Sequence, residues 1–182
     1  MLEIIAIILA ILIAVVLIVL IYASTTRPDT FTYARSTRIN AGPEKIAPLI
    51  SDFKKWTAWS PYENRDPNLK RTYSGNPSGV GAVYAWEGNK NVGSGRMEIV
   101  ESTPRNVRIK LDFFAPFKAN NIAEFTFTPQ GGATEVVWAM TGKNVLIGKV
   151  MSVFMDMDKM VGGDFETGLA SMKIAAESKS GV

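Results

Sequence analysis

The sequence predicts an α+β domain in which a curved antiparallel sheet of about seven strands wraps around a long C-terminal helix, preceded by one hydrophobic N-terminal helix. Three observations lead to this prediction. Apolar residues run without interruption near the N-terminus, short strand-like runs alternate with turn residues, and the end of the chain repeats an apolar residue every three or four positions. A sheet with one apolar face needs a cover, and only the terminal helix is long enough to provide it.

The first element is the apolar run over residues 4–22. As a helix it would span roughly 28 Å, which is close to the hydrocarbon thickness of a bilayer. Its start carries Glu3 and no basic residue, and the residues after it make a poor cleavage site. We therefore expect residues 1–24 to be a retained transmembrane anchor, followed by a polar linker over 25–30; a cleaved signal peptide and a buried helix are the alternatives.

Charged residues beside this run predict its orientation. Glu3 is the only charged residue before the run, whereas four basic residues follow it between positions 27 and 45. Positive charge tends to stay on the cytoplasmic side. We therefore expect a single-pass membrane protein whose domain, residues 31–179, lies in the cytoplasm.

The domain begins with a strand over 31–40, where β-favouring residues dominate. Pro43 suits the first position of a short helix that ends near Ser51, and a second short helix follows up to Pro61. Because all later connections are short, the strands must be antiparallel neighbours. The six further strand-like runs are 69–75, 81–88, 93–102, 106–114, 121–129 and 134–142.

The last element is a helical pattern over 145–178 with one wide apolar face. Gly162 and Gly163 interrupt it, and each glycine costs about 1 kcal/mol relative to alanine inside a helix. We therefore expect a bend or two abutting segments at this pair. Asp164 would cap a restarted helix or, as the alternative, face the space between the helix and the sheet.

Composition excludes several kinds of chemistry. The chain has no histidine and no cysteine, so nucleophilic triads and zinc sites built from these residues are ruled out. The formal net charge is +3 with both signs interspersed, and no motif points to a nucleic acid. We predict no cofactor, no metal and no nucleic-acid partner, and we assign no catalytic residue. Any acid–base step would have to use Asp, Glu, Lys, Tyr or water.

Four stretches carry a resemblance to a known family: INAGPEKIAPLISDFKKWTAWSPYENRDPNLKRTYSG, GVGAVYAWEGN, GSGRMEIVES and MVGGDFETGLASMK. They resemble the START-like, helix-grip superfamily (SRPBCC), and within it the bacterial form of the polyketide cyclase/dehydrase and lipid-transport family. The resemblance covers residues 31–178. It implies a hydrophobic cavity between the sheet and the long helix, with the short helices beside its mouth. It implies no shared catalytic residue, so the fold alone does not give the function.

Large side chains on the inner strand faces, the long helix and the WTAWSPY stretch are candidates for lining such a cavity. Each could instead be an ordinary core residue, but methionines facing aromatics suit an adaptable ligand site. Ala123 is expected to face inward and Ala139 outward. The candidates are Trp56, Trp59, Tyr62, Tyr84, Trp86, Met97, Phe113, Phe125, Trp138, Met140, Phe154, Met157 and Met160.

Three functions remain open from the sequence. The first is a membrane-anchored module that binds a lipid, a quinone or a polyketide-like compound. Its domain is expected to be soluble and monomeric. The second is a cyclase or dehydratase, which needs a buried acid or base facing the cavity. The third is a protein-interaction module of the chaperone-activator kind, which needs a filled core.

Overall fold

The apolar run at the N-terminus forms one helix, α1 (Leu2–Thr26), in the computed structural model, which describes residues 1–178. Almost all of its side chains are exposed, with Ala23 the buried exception. In the described part of the chain, α1 alone is long and apolar enough to cross a membrane; a signal sequence near an N-terminus has the same length and composition. The last predicted residue of the domain, Lys179, lies outside the described residues.

The connection between α1 and the sheet is shorter than the predicted linker over 25–30. The helix continues through Thr26 and the first strand begins at Thr30, so three residues, Arg27–Asp29, join them. Hydroxyl groups at the end of α1 extend the helix, since Thr25 and Thr26 donate to carbonyl oxygens one turn earlier. The sheet therefore starts close to the end of α1.

One antiparallel sheet of seven strands forms, in the order β1-β7-β6-β5-β4-β3-β2. This agrees with the predicted fold. The strands other than β2 largely alternate more and less buried side chains, because successive residues point to opposite faces. Register shifts between β4 and β5 mark irregularities that bend the sheet. The strands are β1 (Thr30–Ile39), β2 (Lys70–Gly75), β3 (Ala82–Glu87), β4 (Ser94–Thr103), β5 (Asn106–Ala115), β6 (Ala119–Gln130) and β7 (Ala133–Lys143).

The pairing gives the sheet two distinct ends. At one end β1 begins and β7 finishes, with Thr30 paired to Lys143. The β3–β4 and β5–β6 turns lie at this same end, which we call the anchor end because α1 enters there. At the opposite end, which we call the far end, Ile39 pairs with Thr134.

Two short helices follow β1, as predicted. The helix α2 (Pro43–Ser51) has a proline in its first turn, and a 3-10 helix spans Phe53–Ala58. The Asp52 side chain caps the 3-10 helix by accepting a hydrogen bond from the backbone N–H of Lys54. Both helices pack beside the helix that covers the sheet.

The long terminal helix is divided, but not where the sequence predicted. The helix α3 (Leu146–Phe154) ends before Met155, and α4 (Met157–Glu177) runs through both glycines without a break. Asp156 caps α4 by accepting from the backbone N–H of Lys159 at 3.0 Å. The predicted bend at Gly162 and Gly163 is therefore wrong, and so is the capping role of Asp164.

Close packing explains the glycine at position 162 of α4, whereas a Cβ atom at Gly163 would meet no atom within 4 Å. The guanidinium group of Arg35 from β1 lies directly over Gly162, where a Cβ atom would overlap it. The same guanidinium binds Asp158 at 2.9 Å and Glu166 at 2.8 Å. These ion pairs hold the first half of α4 against β1 and offset the low helix propensity of glycine.

Only α4 covers the sheet; α3 packs against α1 instead. Lys149 of α3 is buried, and its ammonium group binds the Asp29 carboxylate at 2.6 Å. Asn144 donates its side-chain N–H to the Pro28 carbonyl and its backbone N–H to the Asp29 carbonyl. These contacts join the start of α3 to the short connection after α1.

Candidate ligand-binding cavity

The space between the sheet and α4 is filled in one half and open in the other. Toward the far end it is a packed core of fully buried side chains. Toward the anchor end it contains a largely apolar cavity of about 280 Å³, slightly below the usual size range of small-molecule pockets. The far-end core includes Ile39, Ile99, Val107, Phe127, Val136 and Met172.

Nine of the sequence-predicted candidates line this cavity, together with Ala123, which faces inward as expected. Whether any of them contacts a ligand stays a prediction. Those that line it are Trp56, Tyr62, Tyr84, Trp86, Met97, Phe113, Trp138, Met140 and Met160.

Four candidates lie elsewhere. Trp59 and Phe125 are almost fully buried in the core behind the cavity wall. Phe154 is 70% exposed at the end of α3, and Met157 borders an open groove beside β1. The structure places Phe154 and Met157 outside the cavity lining, contrary to the prediction. The break at Met155 turns α3, which carries Phe154, toward α1, and Met157 begins α4 beside β1.

Trp56 and Trp59 donate hydrogen bonds to backbone carbonyls at the end of α2. The indole N–H of Trp56 donates to the Ile50 carbonyl at 2.9 Å, and that of Trp59 donates to the Leu49 carbonyl at 2.7 Å. The last carbonyls of a helix have no partner within the helix, so these bonds satisfy them. The Trp59 ring also packs edge-on against Phe125 and Trp138. The aromatic stretch therefore packs α2 onto the sheet and presents one ring, Trp56, to the cavity.

Stacked rings form the back wall. The indole of Trp138 lies parallel to Phe165 of α4 at 4.1 Å between ring centroids. On its other side it stacks on Phe125 at 5.1 Å. Gly95 lies beneath the Trp86 ring, where a Cβ atom would overlap the indole. These contacts hold two of the lining indoles in fixed orientations.

A buried polar network reaches the cavity from the loop after the 3-10 helix. The Glu63 side chain is 4% exposed and accepts from the Tyr84 hydroxyl at 2.8 Å and from Arg71 Nε at 2.6 Å. Arg71 also donates to the backbone carbonyls of Glu63 and Leu69. Both carboxylate oxygens are therefore engaged, and Glu63 is the buried carboxylate of this cavity.

The pKa of the Tyr84 phenol lies well above its ordinary range, mainly because the phenol is buried and next because it is hydrogen-bonded to Glu63. Burial followed by the negative charge of Asp164 likewise raises the pKa of Tyr62. Both phenols are therefore neutral at physiological pH and can take part in hydrogen bonds as donors and acceptors.

An ion pair between Arg65 and Asp164 links the same loop to α4. Both residues border the cavity, and the Arg65 guanidinium lies 4.9 Å above the Tyr62 ring centre. A second buried carboxylate, Asp66, accepts from the backbone N–H groups of Asn68 and Asn89. Together these contacts fix the loop over one side of the cavity.

Sequence patterns did not identify this loop as polar lining. Glu63, Arg65 and Asp66 lie in the NRDPN region, where no helical or strand period indicates which side chains are buried. The available signal was a run of charged residues between two prolines, directly after three large aromatics. Such a run more often forms a solvated surface.

Two buried donors in the cavity wall lack a partner within the described residues. They are the Ser60 hydroxyl and the Trp138 indole N–H. Buried polar groups are almost always hydrogen-bonded, so each such group in a native structure requires an explanation. Within the described chain, no group of three or more acidic, histidine or cysteine side chains is placed to hold a metal ion.

The family model for polyketide cyclase/dehydrase and lipid transport matches residues 30–177. The chain belongs to this family. A comparison with curated proteins found no match.

Solved structures share the fold of this family member at low sequence identity. Protein MLL2253 from Mesorhizobium loti is 12% identical, with a TM-score of 0.60 over 82% of this chain and 99% of its own. The Aha1 dimer from Colwellia psychrerythraea is 17% identical, with a TM-score of 0.58 over 83% and 99%. The di-domain ARO/CYC BexL from the BE-7585A biosynthetic pathway is 13% identical, with a TM-score of 0.59 over 85% of this chain and 52% of its own.

Proposed function

We propose that this polyketide cyclase/dehydrase and lipid-transport family member is a membrane-anchored module that binds a hydrophobic small molecule, such as a lipid, a quinone or a polyketide-like compound. The observation that carries the proposal is the apolar cavity of about 280 Å³ between the sheet and α4. Close-packed domains ordinarily leave few voids larger than a water molecule. Anchored by α1, the cavity would stay near the bilayer, where such ligands are concentrated.

The two buried donors without a partner in the described chain indicate which chemical groups a ligand would carry. Ser60 and Trp138 each place a buried donor at the cavity wall, and the remaining lining is mostly apolar. A ligand carbonyl, ether or hydroxyl oxygen would accept from them, whereas a pure hydrocarbon would leave both donors unsatisfied. The ligand is therefore an apolar molecule with at least one oxygen acceptor.

A bulky substitution tests whether the cavity holds a ligand. Ala123 is buried and lines the cavity, whereas Ala139 lies on the same β6–β7 ladder with its side chain on the opposite face. The full chain purified from membranes should carry a small molecule by native mass spectrometry. Ala123→Trp should lose it because the ring fills the space, and Ala139→Trp should retain it.

The opposite result is equally clear. If the parent carries no small molecule, even after incubation with a bacterial lipid extract, and Ala123→Trp is strongly destabilised by overpacking, the cavity does not bind a ligand. Thermal unfolding of both variants in detergent separates loss of the ligand from loss of the fold.

Replacing one donor tests the ligand class. Ser60→Ala removes the hydroxyl and changes the wall shape little, so it should weaken binding by roughly two- to tenfold if a ligand oxygen accepts from it. Thermal stability without ligand should not fall. Unchanged binding would show that the ligand leaves this donor unused.

Two observations bear on the other functions. Glu63 is a buried carboxylate beside the cavity, which a cyclase or dehydratase requires. Its oxygens already bind Arg71 and Tyr84, which favours a structural role over proton transfer. A protein-interaction module without a ligand would need a filled core, and the cavity speaks against it.

We further propose that the domain faces the cytoplasm and is monomeric. The orientation is supported by the basic residues that follow the apolar run. Because the chain has no cysteine, a single cysteine introduced at an exposed domain position can be labelled in intact cells. Labelling by a membrane-impermeant maleimide before lysis would place the domain outside.

A further inference from the structure

We propose that the anchor end of the domain is a second membrane-contact surface, which lies in the lipid headgroup region beside α1. This inference rests on the proposed transmembrane role of α1. After α1, eight of the twelve exposed large hydrophobic side chains of the described chain belong to the anchor end. We call six of them the apolar rim: Phe114, Phe117, Val145, Leu146, Ile147 and Phe154.

Topology gathers these side chains from two separate parts of the chain. Phe114 and Phe117 lie at the β5–β6 turn, where Phe113 pairs with Ala119. The other four lie at the ends of α3, directly after β7 finishes at Lys143. Exposed apolar clusters of this kind mark contact sites with proteins or membranes.

Chain length sets the distance between the rim and the bilayer. Only Ala23–Thr26, one helical turn of roughly 6 Å, and the three residues Arg27–Asp29 separate the apolar run from β1. Three extended residues reach at most about 10 Å. The headgroup layer on each side of the hydrocarbon is roughly 5–8 Å thick. The first strand therefore begins within about 10 Å of that layer.

The contacts of α3 favour a membrane over a protein partner as the occupant. α3 packs against α1 itself, and the buried Lys149 side chain binds the exposed Asp29 carboxylate in the connection after α1. A helix packed beside a transmembrane segment at this depth presents its remaining apolar side chains to lipid. Exposed Lys90, Lys118 and Lys143 lie at the same end and match anionic headgroups.

The mouth of the cavity shares this end. Among the lining residues, Val92, Phe113 and Met160 are partly or largely exposed. Val92 lies in the β3–β4 turn, Phe113 lies near the end of β5, and Met160 lies in the first turn of α4. A rim seated in the headgroups would bring the mouth to the bilayer surface. An apolar ligand could then enter the cavity from lipid with little exposure to water.

Single cysteines test this contact, since the natural chain has none. Phe117→Cys, Leu146→Cys and Ile147→Cys, each made in the full chain, carry an environment-sensitive fluorophore in vesicles of phosphatidylcholine and phosphatidylglycerol. Nitroxide lipids labelled near the headgroup should quench all three several-fold more than Thr128→Cys, an exposed control at the far end. Leu12→Cys in α1 should respond to nitroxides placed deep in the acyl chains.

The quenching results distinguish failure of the rim inference from failure of the proposed anchor. If Leu12→Cys is quenched but the rim labels behave like Thr128→Cys, the anchor stands and the rim inference is wrong. If Leu12→Cys is not quenched by deep nitroxides, α1 does not span the bilayer, and both the proposed anchor and the rim inference are wrong. If the rim labels are shielded from aqueous iodide without lipid quenching, a second copy or another protein covers the rim, which also overturns the inference.

Discussion

The two halves of the space under α4 are built from the same strands, yet one is solid and the other is open. Toward the far end, Phe127, Val136 and Met172 meet at full packing. Toward the anchor end, the strands continue with large rings, but the small residue Ala123 on the inner face leaves space between them. Alternation along a strand therefore determines which side chains point inward, and their sizes determine whether they fill the space.

The halves also differ in what holds them together. Apolar burial dominates the far half, where aliphatic and aromatic side chains are almost fully excluded from water. In the anchor half, ion pairs connect α4 and the loop to the sheet, among them Arg35–Asp158 and Glu63–Arg71. The apolar core of the far half should therefore respond little to salt, whereas the ion pairs of the anchor half should respond to it. Charged contacts of the far half lie at the end of α4, where Lys173 and Glu177 bind the backbone of Arg38 and Asn40.

Truncating one phenylalanine in each half should give the largest effect. Phe127→Ala creates a cavity in a packed core and should cost about 3–5 kcal/mol. Phe113→Ala should cost clearly less, because its ring already borders open space. Chemical unfolding of the full chain in detergent measures both. Equal losses would mean that the anchor half is packed as tightly as the far half.

Removing the partner of the buried carboxylate should have an intermediate effect. Arg71→Met leaves Glu63 buried with one oxygen unpartnered and should cost about 1–3 kcal/mol. Arg108→Met on the exposed face of β5 is the matched control and should change stability little. If the two variants unfold at the same denaturant concentration, the network does not stabilise the loop over the cavity.

The smallest effect should come from pH at the start of α4. Hydrogen bonds from Arg35 hold the pKa of the Asp158 carboxyl below its ordinary value of 3.8. Because the folded pKa is depressed, the contribution of this pair is fully present above about pH 4 and is lost as the pH falls through the depressed pKa.

An NMR titration of the Asp158 carboxyl carbon measures this shift directly. Arg35→Gln should return the pKa toward 3.8. An unshifted value in the parent protein would show that the Arg35–Asp158 ion pair is not formed in solution.

Much of the fold could be predicted from the sequence because strands and helices leave periodic traces. Alternating residues gave the inner faces of β5 and β7, and they placed Ala123 inward and Ala139 outward. The sequence predicts the helix break at the wrong place because the low helix propensity of glycine points to Gly162 and Gly163. The structure breaks the helix earlier, where Asp156 supplies a side-chain cap, a residue type that favours this position.

The sequence by itself determined the apolar helix, the antiparallel sheet, the covering helix and the family, because each depends on local pattern or on motifs in order. Only the tertiary structure decided that α3 turns toward α1, that Glu63 is buried beside Tyr84, and that the cavity lies at the anchor end. These features depend on which residues, distant in sequence, come into contact and on the space left between them. Neither the contacts nor the space produces a periodic pattern in the sequence, so neither can be predicted from it.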